Sequence, residues 1–412
     1  MTHATPSSLA LSVAEARRAI LEALAPITGW QRVGVDGTLG RVLARDVIAP
    51  CNVPAHDNSA MDGYALRAAD LAPDAETALA VVGSALAGHP FTGSVEAGQA
   101  IRIMTGAVLP RGADCVVEQE AVRLAGGQAW IPAGRGAGQN IRRAGEDLAE
   151  GGVALAAGRR LGPAELGLLA SLGIVALPVY RPLRVALFST GDELSTLGQS
   201  PRPGQIFDSN RHTLAGALAR LGCEVLDMGV VPDRPEALEA ALGEAAANAD
   251  AILTSGGVSV GEADFVKDVL ARLGEVAFWK VDMKPGRPMA FGRIGGTWLF
   301  GLPGNPVAAL VSFYQFVQDA LLTLMGVAPL PARPTFPVRC ASPIRKLPGR
   351  REFLRGYLQP GPQGWTVSLA GPQGSGVLRS MTEANCFIVL AEEQGAVAAG
   401  ETVYIQLFEG LL

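Results

Sequence analysis

The sequence of 412 residues predicts a multidomain α/β protein whose largest part is a mostly parallel, three-layer α/β domain. Two observations support this prediction, in addition to a length that exceeds one ordinary hydrophobic core. Apolar strand-like runs alternate with helical runs from Arg181 to about residue 325, and two strand-rich stretches rich in Gly and Pro lie outside that region. We therefore expect a discontinuous linking domain (residues 1–45 and 141–178), an inserted β-rich domain (46–140), the α/β domain (179–327) and a C-terminal β-barrel-like domain (328–412).

The N-terminal third predicts a helix followed by a strand-rich insertion. Ser12 and Glu15 match the S-x-x-E pattern of a capping box, and "VAEARRAILEAL" has helical periodicity that ends before Pro26. Short runs such as "ALAVVGSAL" and "DCVVEQEAV" then predict strands. A second helix is expected in "LGPAELGLLASLG", from Leu161, so the segments on either side of the insertion are expected to pack together.

From Arg181 the pattern alternates regularly between strand and helix. The runs "LRVALFST", "CEVLDMGVV", "DAILTSG", "EVAFWKVDM" and "TWLFGLPG" predict strands, and nearly continuous apolar strands are typical of a sheet that helices cover on both faces. Ligands of such sheets bind beyond the carboxyl ends of the strands. Polar residues follow each strand, and we expect them to meet at one edge: Asp192, Glu193, Asp233, the stretch from Ser255 to Asp264, Lys284 and Asn305.

The composition and net charge indicate which partners and which compartment to expect for this protein. The net charge of −5 argues against a nucleic-acid partner, and the five scattered cysteines favour free thiols in a reducing cytoplasm. The N-terminus lacks a secretory pattern. The apolar run "PVAALVSFYQFVQDALLTLMG" contains Gln315, Gln318 and Asp319, which predicts a buried amphipathic helix rather than a membrane span. After Gly326, short strands predict a small β-barrel or sandwich of about 85 residues.

The stretch "LTSGGVSVGEADFV", residues 253–266, combines glycines with acids. Glycines let backbone N–H groups approach an anion closely, which suits a phosphate. A carboxylate beside a phosphate is repelled unless a cation lies between them, so Glu262 and Asp264 predict an anion site bridged by a metal, with Mg²⁺ as the candidate. The phosphate-binding candidates here are Ser255, Gly256, Gly257, Ser259 and Gly261.

Three further motifs allow a structural and a functional interpretation. In "STGDELS", Asp192 and Glu193 either begin a short helix or belong to the metal site. The cations of "KVDMKPGRP" are either solvated surface charges or an oxyanion site. In "GLPGNPVAAL", the Asn-Pro pair is explained as the N-cap and the first position of a helix. The start of the same helix can also bind an anion. The residues in these last two motifs are Lys280, Lys284, Arg287, Pro303, Gly304, Asn305 and Pro306.

The C-terminal region adds a set of basic and hydroxyl residues in "GRREFLRG" and "GSGVLRS". A solvated basic strand edge explains them, and contact with an anion requires the other domains nearby. The residues are Arg350, Arg351, Arg355, Ser375 and Ser380.

Taken in order, "DNSAMDGYA", "RIMTGA", "AGEDL", "STGDEL", "TSGGVSVGEAD", "KPGRP" and "LPGNPV" resemble the molybdopterin molybdotransferase family, which includes bacterial MoeA proteins and the gephyrin E domain. The resemblance runs from Ser12 to the end of the chain. It implies a molybdopterin-binding α/β domain. The implied activity is insertion of molybdenum from molybdate into adenylylated molybdopterin with release of AMP, the final step of molybdenum cofactor biosynthesis.

The resemblance also implies roles for individual residues. Glu193, Asp233 and Asp264 match acidic positions that would hold Mg²⁺ on the pyrophosphate, and Ala308 stands where some relatives have a serine that contacts molybdate. A homodimer with its site at the subunit interface is implied, with the adenylyltransferase and molybdoenzyme apoproteins as partners. Matched positions for oxyanion contact are Lys280, Lys284, Arg350 and Ser375, and those acting across the dimer interface are Asp62, Thr105, Arg142 and Asp147.

Two other functions remain open at this point. A molybdopterin adenylyltransferase would resemble only the α/β domain, which leaves the β-rich insertion and the C-terminal domain unexplained. A non-catalytic dimeric scaffold or molybdopterin carrier would keep the fold without the chemistry. Release of AMP that depends on molybdate distinguishes the transferase from both.

Overall fold

The computed structural model describes residues 10–257, 264–361 and 364–408, and within them it leaves out the side chains of residues 264–268 and of residue 278. Two predicted phosphate-binding residues, Ser259 and Gly261, lie outside the described residues, as does Glu262. The predicted domain boundaries stay a prediction.

The N-terminal region contains a capped helix and the strands that tie the two linking segments together. Glu15 N–H donates to Ser12 Oγ at 3.2 Å and Ser12 N–H donates to Glu15 Oε2 at 2.8 Å, so the expected capping box is present. The elements in chain order are α1 Val13–Ala23, β1 Trp30–Gly34, β2 Val47–Ile48, β3 Asn58–Ser59, β4 Gly63–Leu66, β5 Thr77–Ala85, β6 Gln99–Ile103, β7 Cys115–Glu118, β8 Arg123–Ala125, β9 Gln128–Ile131, β10 Ile141–Arg142, β11 Val153–Leu155, α2 Pro163–Ser171 and β12 Ala176–Tyr180.

Strands from the two ends of this region pair across the insertion. β1 pairs antiparallel with β12, so the chain segments on either side of the insertion pack together as expected. β2, which lies just inside the predicted insertion, pairs antiparallel with β11. The insertion itself has a sheet with the strand order β7-β4-β6-β5-β9-β8, which confirms its strand-rich character. Its apolar residues form two clusters, one on Tyr64 and Leu66 and one on Ile101 and Ile103.

The α/β region continues the chain. Its elements are β13 Arg184–Thr190, β14 Leu194–Ser195, β15 Ile206–Phe207, α3 Ser209–Leu221, β16 Glu224–Val231, α4 Pro235–Asn248, β17 Ala251–Ser255, α5 Asp264–Leu273, β18 Gly274–Lys280, β19 Met283–Lys284, β20 Pro288–Ile294, β21 Thr297–Leu302, α6 Pro306–Ser312, a π-helical segment Phe313–Val317 and α7 Gln318–Leu324. The main sheet has the order β16-β13-β17-β21-β20-β18.

The sheet is mostly parallel, with one reversed strand that the sequence pattern did not predict. β13, β16, β17 and β21 are parallel, β20 is antiparallel to β21, and β18 is antiparallel to β20. β18 therefore points the same way as the parallel strands, and its carboxyl end reaches the same edge. α3 and α6 pack on one face of the sheet, whereas α4 and α5 pack on the other, which confirms the three layers.

The long apolar helix lies inside the protein. By length and composition Pro306–Leu324 could cross a membrane, but 94% of its most apolar window is buried in the fold. It is more deeply buried than an amphipathic helix with a solvent face, because Gln315, Gln318 and Asp319 are buried as well. Gln315 Nε2 donates to Gln406 Oε1 at 3.1 Å, so this polar side chain is satisfied within the core.

The C-terminal region is a barrel that contacts the edge of the main sheet. Its elements are β22 Phe336–Cys340, β23 Arg351–Gly361, β24 Gly364–Leu369, α8 Arg379–Glu383, β25 Cys386–Leu390 and β26 Thr402–Leu407. The order β23-β24-β22-β26-β25 closes through a pairing of β23 with β25, so the predicted barrel is confirmed. β19 pairs with β23 and aligns Lys284 with Glu352, which brings the barrel to the carboxyl edge of the main sheet.

Candidate functional site

A cavity of about 480 Å³ lies between the carboxyl edge of the main sheet and the C-terminal barrel. Residues from several strand ends and from the barrel meet there, as the parallel-sheet argument predicts. Its lining consists of Thr190, Gly191, Glu193, Asp233, Gly256, Gly257, Met283, Lys284, Pro285, Gly286, Arg287, Pro288, Pro303, Gly304, Asn305, Ala308, Arg350, Gln373, Gly374 and Ser375.

One wall of the cavity is acidic. Glu193 and Asp233 both line it. Glu193 follows β13 and Asp233 follows β16, so the two carboxylates come from different parts of the chain. The Thr190 hydroxyl donates to Asp233 Oδ1, which fixes that carboxylate at the rim. The helix-start interpretation of "STGDELS" is wrong: the residues after Glu193 form β14, which pairs in parallel with β15.

The third predicted metal ligand is only partly described. α5 begins at Asp264, so the residue follows β17 as expected, but its side chain lies outside the described part of the structure. Among the residues that are described, no three or more His, Cys, Asp or Glu side chains group closely enough to hold a metal. Glu193 and Asp233 line the cavity together, and Mg²⁺ prefers carboxylate oxygen ligands of this kind.

Glycines form the part of the wall where β13 and β17 end. Gly256 and Gly257 have φ values of +94° and +69°, a region that L side chains rarely adopt. A Cβ at Gly256 would lie 2.3 Å from the Thr190 carbonyl oxygen, so only glycine fits this close approach of the two strand ends. The predicted phosphate-binding glycines thus have a steric reason to be glycine, and they still expose backbone to the cavity.

The cavity lining also contains basic residues. Lys284, Arg287 and Arg350 line the cavity, and Lys284 Nζ lies 3.4 Å from Glu352 Oε1 with 58% of the Lys284 side chain exposed. So exposed an ion pair is weak, which leaves the ammonium group available to an anion. Lys280, also a predicted oxyanion contact, is exposed and does not line the cavity.

The start of α6 faces the cavity with its N-cap side chain. Asn305 is the N-cap residue, yet its side chain makes no capping hydrogen bond and is exposed to the cavity, whereas Pro306 does not line it. The Val307 N–H donates to Ser375 O at 3.0 Å, so the barrel supplies the cap instead. This arrangement favours the ligand-binding interpretation of Asn305, since capping does not occupy its carboxamide.

Ser255, predicted to bind substrate, lies beneath the cavity wall. It is 2% exposed, and its Oγ accepts a hydrogen bond from Asn210 Nδ2 at 2.7 Å. The same amide group donates to Gly304 O at 2.7 Å. Ser255 therefore does not line the cavity; together with Asn210, which the sequence analysis missed, it holds two parts of the wall together.

A buried arginine holds the barrel loop that enters the cavity. Arg355, predicted at a solvated basic edge, is fully buried, so that expectation is wrong. Its Nε donates to Ser380 Oγ at 3.0 Å and its Nη2 donates to Gly374 O at 3.1 Å, and burial lowers the pKa of Arg355 to about 10. Gln373 adds to this support, because its Oε1 accepts the Arg355 N–H at 2.8 Å. Gln373 carries no charge or motif that would have singled it out.

The four residues predicted to act across the dimer interface do not line this cavity. The N–H and Oγ1 of Thr105 both donate to Asp62 Oδ1 at 2.7 Å, and these bonds, the backbone one first, lower the pKa of Asp62. Arg142 and Asp147 are exposed, and Arg142 pairs with Asn58 across β10 and β3. None of the four lines the cavity formed by its own chain.

Comparisons with known proteins identify the family. Family models match along the chain: "MoeA N-terminal region (domain I and II)" at residues 11–173, "Probable molybdopterin binding domain" at 186–323 and "MoeA C-terminal region (domain IV)" at 337–408. A relative from Haemophilus influenzae named molybdopterin molybdenumtransferase is 45% identical, over 98% of this chain and 100% of its own length. The chain belongs to the MoeA family.

Other relatives and solved structures extend the match to the whole MoeA fold. Molybdopterin molybdenumtransferase 2 of Mycobacterium tuberculosis is 39% identical over 96% of this chain and 98% of its own length. A crystal structure of the molybdopterin biosynthesis MoeA protein from Pyrococcus horikoshii OT3 is 28% identical, with a TM-score of 0.84 over 97% of this chain and all of that one. A second structure from that organism is 32% identical with a TM-score of 0.78 and the same coverage.

Proposed function

We propose that this MoeA protein is a molybdopterin molybdenumtransferase that inserts molybdenum from molybdate into adenylylated molybdopterin and releases AMP. The names of its full-length relatives support the transferase activity and its place in molybdenum cofactor biosynthesis. The structural observation that carries the proposal is a single cavity lined both by the carboxylates of Glu193 and Asp233 and by the cations of Lys284 and Arg350.

The charge pattern of the cavity suits these two substrates. Adenylylated molybdopterin carries a pyrophosphate and molybdate is an oxyanion, so both substrates bring negative charge to one site. Lys284 and Arg350 attract that charge, since cations at a cleft raise the local concentration of an anionic ligand. The carboxylates of Glu193 and Asp233 would repel it, which gives the acidic wall a role only if a cation is bound there.

The paired carboxylates fit Mg²⁺ as the implied metal. Magnesium in proteins is commonly held by one or two carboxylates together with substrate phosphates and water. Glu193 and Asp233 would supply the protein ligands, with Asp264 as a third candidate at the start of α5. When bound, the metal would polarise the phosphoanhydride and neutralise charge on departing AMP.

The remaining lining residues would bind and orient the substrates. Gly256 and Gly257 let backbone approach the phosphates, and the uncommitted side chain of Asn305 offers both a donor and an acceptor. Arg350 has the planar guanidinium that suits an oxyanion, with Ser375 beside it in the lining. Ala308, 3% exposed, lines the cavity without a hydroxyl, so molybdate would rely on the cations and on Ser375.

A homodimer would bring the four residues predicted to act across the interface to the site. Asp62 is held by two hydrogen bonds from Thr105, and Arg142 is exposed, yet neither lines the cavity of its own chain. A second copy that presents Asp62, Thr105, Arg142 and Asp147 to this cavity would give these polar residues a ligand that their own subunit does not offer them. Under this proposal the four residues act in the partner's reaction.

The proposal extends to the compartment and the partners of the reaction. All five cysteines are free thiols, three of them buried, which supports a reducing compartment such as the cytoplasm. An adenylyltransferase would supply the substrate, and molybdoenzyme apoproteins would receive the product.

Two alternative functions account for less of the chain. An adenylyltransferase would need only the α/β domain, whereas the barrel contributes Arg350 and Ser375 to the cavity here. A scaffold or carrier gives no reason for carboxylates and cations to line one cavity together.

The proposal is tested by AMP release from adenylylated molybdopterin with Mg²⁺, with and without molybdate. We expect release that depends on molybdate and yields active cofactor. Arg350→Gln should lose activity, while its neighbour Arg351, which pairs with Glu392 and does not line the cavity, provides the matched control Arg351→Gln. Tight substrate binding without AMP release in either condition would support the carrier instead.

A further inference from the structure

A second cavity, of about 230 Å³, lies where the linking segments contact the α/β domain. It shares no lining residue with the cavity described above. Four arginines line it: Arg41, Arg160, Arg181 and Arg220. None of the residues that line this cavity is acidic, so its walls carry positive charge only.

Backbone contacts between two distant segments bring two of these arginines to the cavity. Val42 and Arg160 form an antiparallel bridge, and the Leu161 N–H donates to Arg41 O at 2.9 Å. Arg41 and Arg160 belong to chain segments more than a hundred positions apart, and both line the cavity. The two segments are therefore held together by backbone contacts of the fold that do not involve a ligand.

Three of the four guanidinium groups have no carboxylate partner in the described part of the chain. Arg181 is compensated, because its Nη1 and Nη2 donate to the two oxygens of Asp250 at 2.7 and 2.6 Å. Arg41, Arg160 and Arg220 form no ion pair within residues 10–257, 264–361 and 364–408. Burial lowers the pKa of Arg41, as expected for a cation removed from water without a counter-charge.

Backbone carbonyls account for only part of the hydrogen-bonding capacity of this cluster. Arg41 Nη2 donates to Tyr180 O at 2.7 Å, and Arg160 Nη2 donates to Leu221 O at 3.2 Å at the end of α3. A guanidinium group has five N–H donors, so most donors of both residues remain for another acceptor. Interdomain bonds to carbonyls explain the positions of these arginines but leave their charge uncompensated.

We infer that this arginine cavity, lined by Arg41, Arg160, Arg181 and Arg220, binds a small multivalent oxyanion of the phosphate class. Its volume equals that of roughly eight liquid waters, which is enough for inorganic phosphate or pyrophosphate. Guanidinium groups match such an anion in charge and in geometry. Because the arginines come from both the linking segments and the α/β domain, the bound anion stabilises the contact between them.

The test is calorimetric titration of the full-length protein with inorganic phosphate and then pyrophosphate at constant ionic strength. The titration uses the Arg350→Gln background, since the other cavity is proposed to take phosphates as well. We expect saturable binding of one anion per chain. Arg220→Gln should weaken it by about fivefold, the effect of one partly exposed charge-assisted hydrogen bond, and Arg41→Gln with Arg160→Gln should abolish it.

Controls keep the result independent of folding and of the transferase reaction. Arg220 is exposed and forms no ion pair in the described structure, so its variant should fold normally even if the double variant does not. Arg32→Gln, an exposed arginine of β1 outside the cavity, should bind the anion as the parent does. Absence of saturable binding, unchanged affinity in Arg220→Gln, or equal loss in Arg32→Gln would overturn the inference, whatever the AMP-release assay gives.

Discussion

Replacing Gly256 with alanine tests how the two strand ends build the cavity. Gly256 follows β17, has a φ of +94°, and packs against the Thr190 carbonyl at the end of β13. Thr190 also fixes Asp233 through its hydroxyl. A methyl group at position 256 should therefore disturb both the glycine wall and the acidic wall of the cavity.

The expected magnitude follows from two distances. The added Cβ would lie 2.3 Å from the Thr190 oxygen, whereas ordinary contacts begin at 3.4 Å, so the two backbones must separate by about 1 Å. A misplacement of that size at a reaction site costs about a hundredfold in rate. The left-handed conformation of alanine adds about 1–2 kcal/mol of destabilisation. We expect kcat/KM to fall about a hundredfold, with a lower melting temperature.

The assay is molybdate-dependent AMP release, run beside thermal unfolding. Gly243→Ala is the matched control, because Gly243 is exposed in α4, has no atom within 4 Å of an added Cβ and has an ordinary φ. Gly243→Ala should retain activity and be neutral or slightly stabilising, since alanine favours helix. Activity of Gly256→Ala within about threefold of the parent, far short of the hundredfold that the 1 Å displacement requires, would refute the steric argument.

Three further predictions concern other residues. Asp233→Asn should reduce the rate of AMP release about a hundredfold and raise the Mg²⁺ concentration needed for the half-maximal rate. The melting temperature should not change. An unchanged Mg²⁺ requirement would contradict the metal proposal. Asp319→Asn leaves two arginines without their buried carboxylate and should lower the free energy of unfolding by about 3–5 kcal/mol. Thermal unfolding measures the change, at about 2 °C of melting temperature per kcal/mol, and a melting temperature lowered by less than about 1 °C would contradict this. Thr105→Val should raise the depressed pKa of Asp62 only partly, because the backbone N–H still donates to the carboxylate. The pKa should stay below the ordinary value of 3.8 and lie above that of the parent; carboxyl NMR titration measures it, and an unchanged pKa would contradict the assigned cause.

Local sequence signals predicted the elements well where neighbouring residues decide the structure. The capping box at Ser12 and Glu15 is formed as expected, and the strand predicted in "LRVALFST" ends at Thr190 as its pattern does. The reversed strand β20 was missed, because its first residue is Pro288, directly after the Pro-Gly turn of "KPGRP". Because the turn motif overlaps the start of β20, the local pattern indicated a turn there and no strand.

The candidate site was predictable to the extent that it lies at strand ends. Glu193, Asp233 and Lys284 line one cavity because parallel strands finish at the same edge. Ser255 belongs to the same strand end but is buried against Asn210, and no local pattern distinguishes a lining side chain from a supporting one. Gln373 enters the cavity on a barrel loop, and its position depends on Arg355.

The sequence by itself determined the alternation of strands and helices, the common edge at which polar residues collect and the membership of the MoeA family, because periodicity and motifs are properties of neighbouring residues. Only the tertiary structure decided which charges share a cavity, that Arg355 is buried, and that Arg41 and Arg160 line the same cavity. These outcomes depend on contacts between segments far apart in the chain. Such contacts are fixed by the packing of whole domains, which no short stretch of sequence encodes.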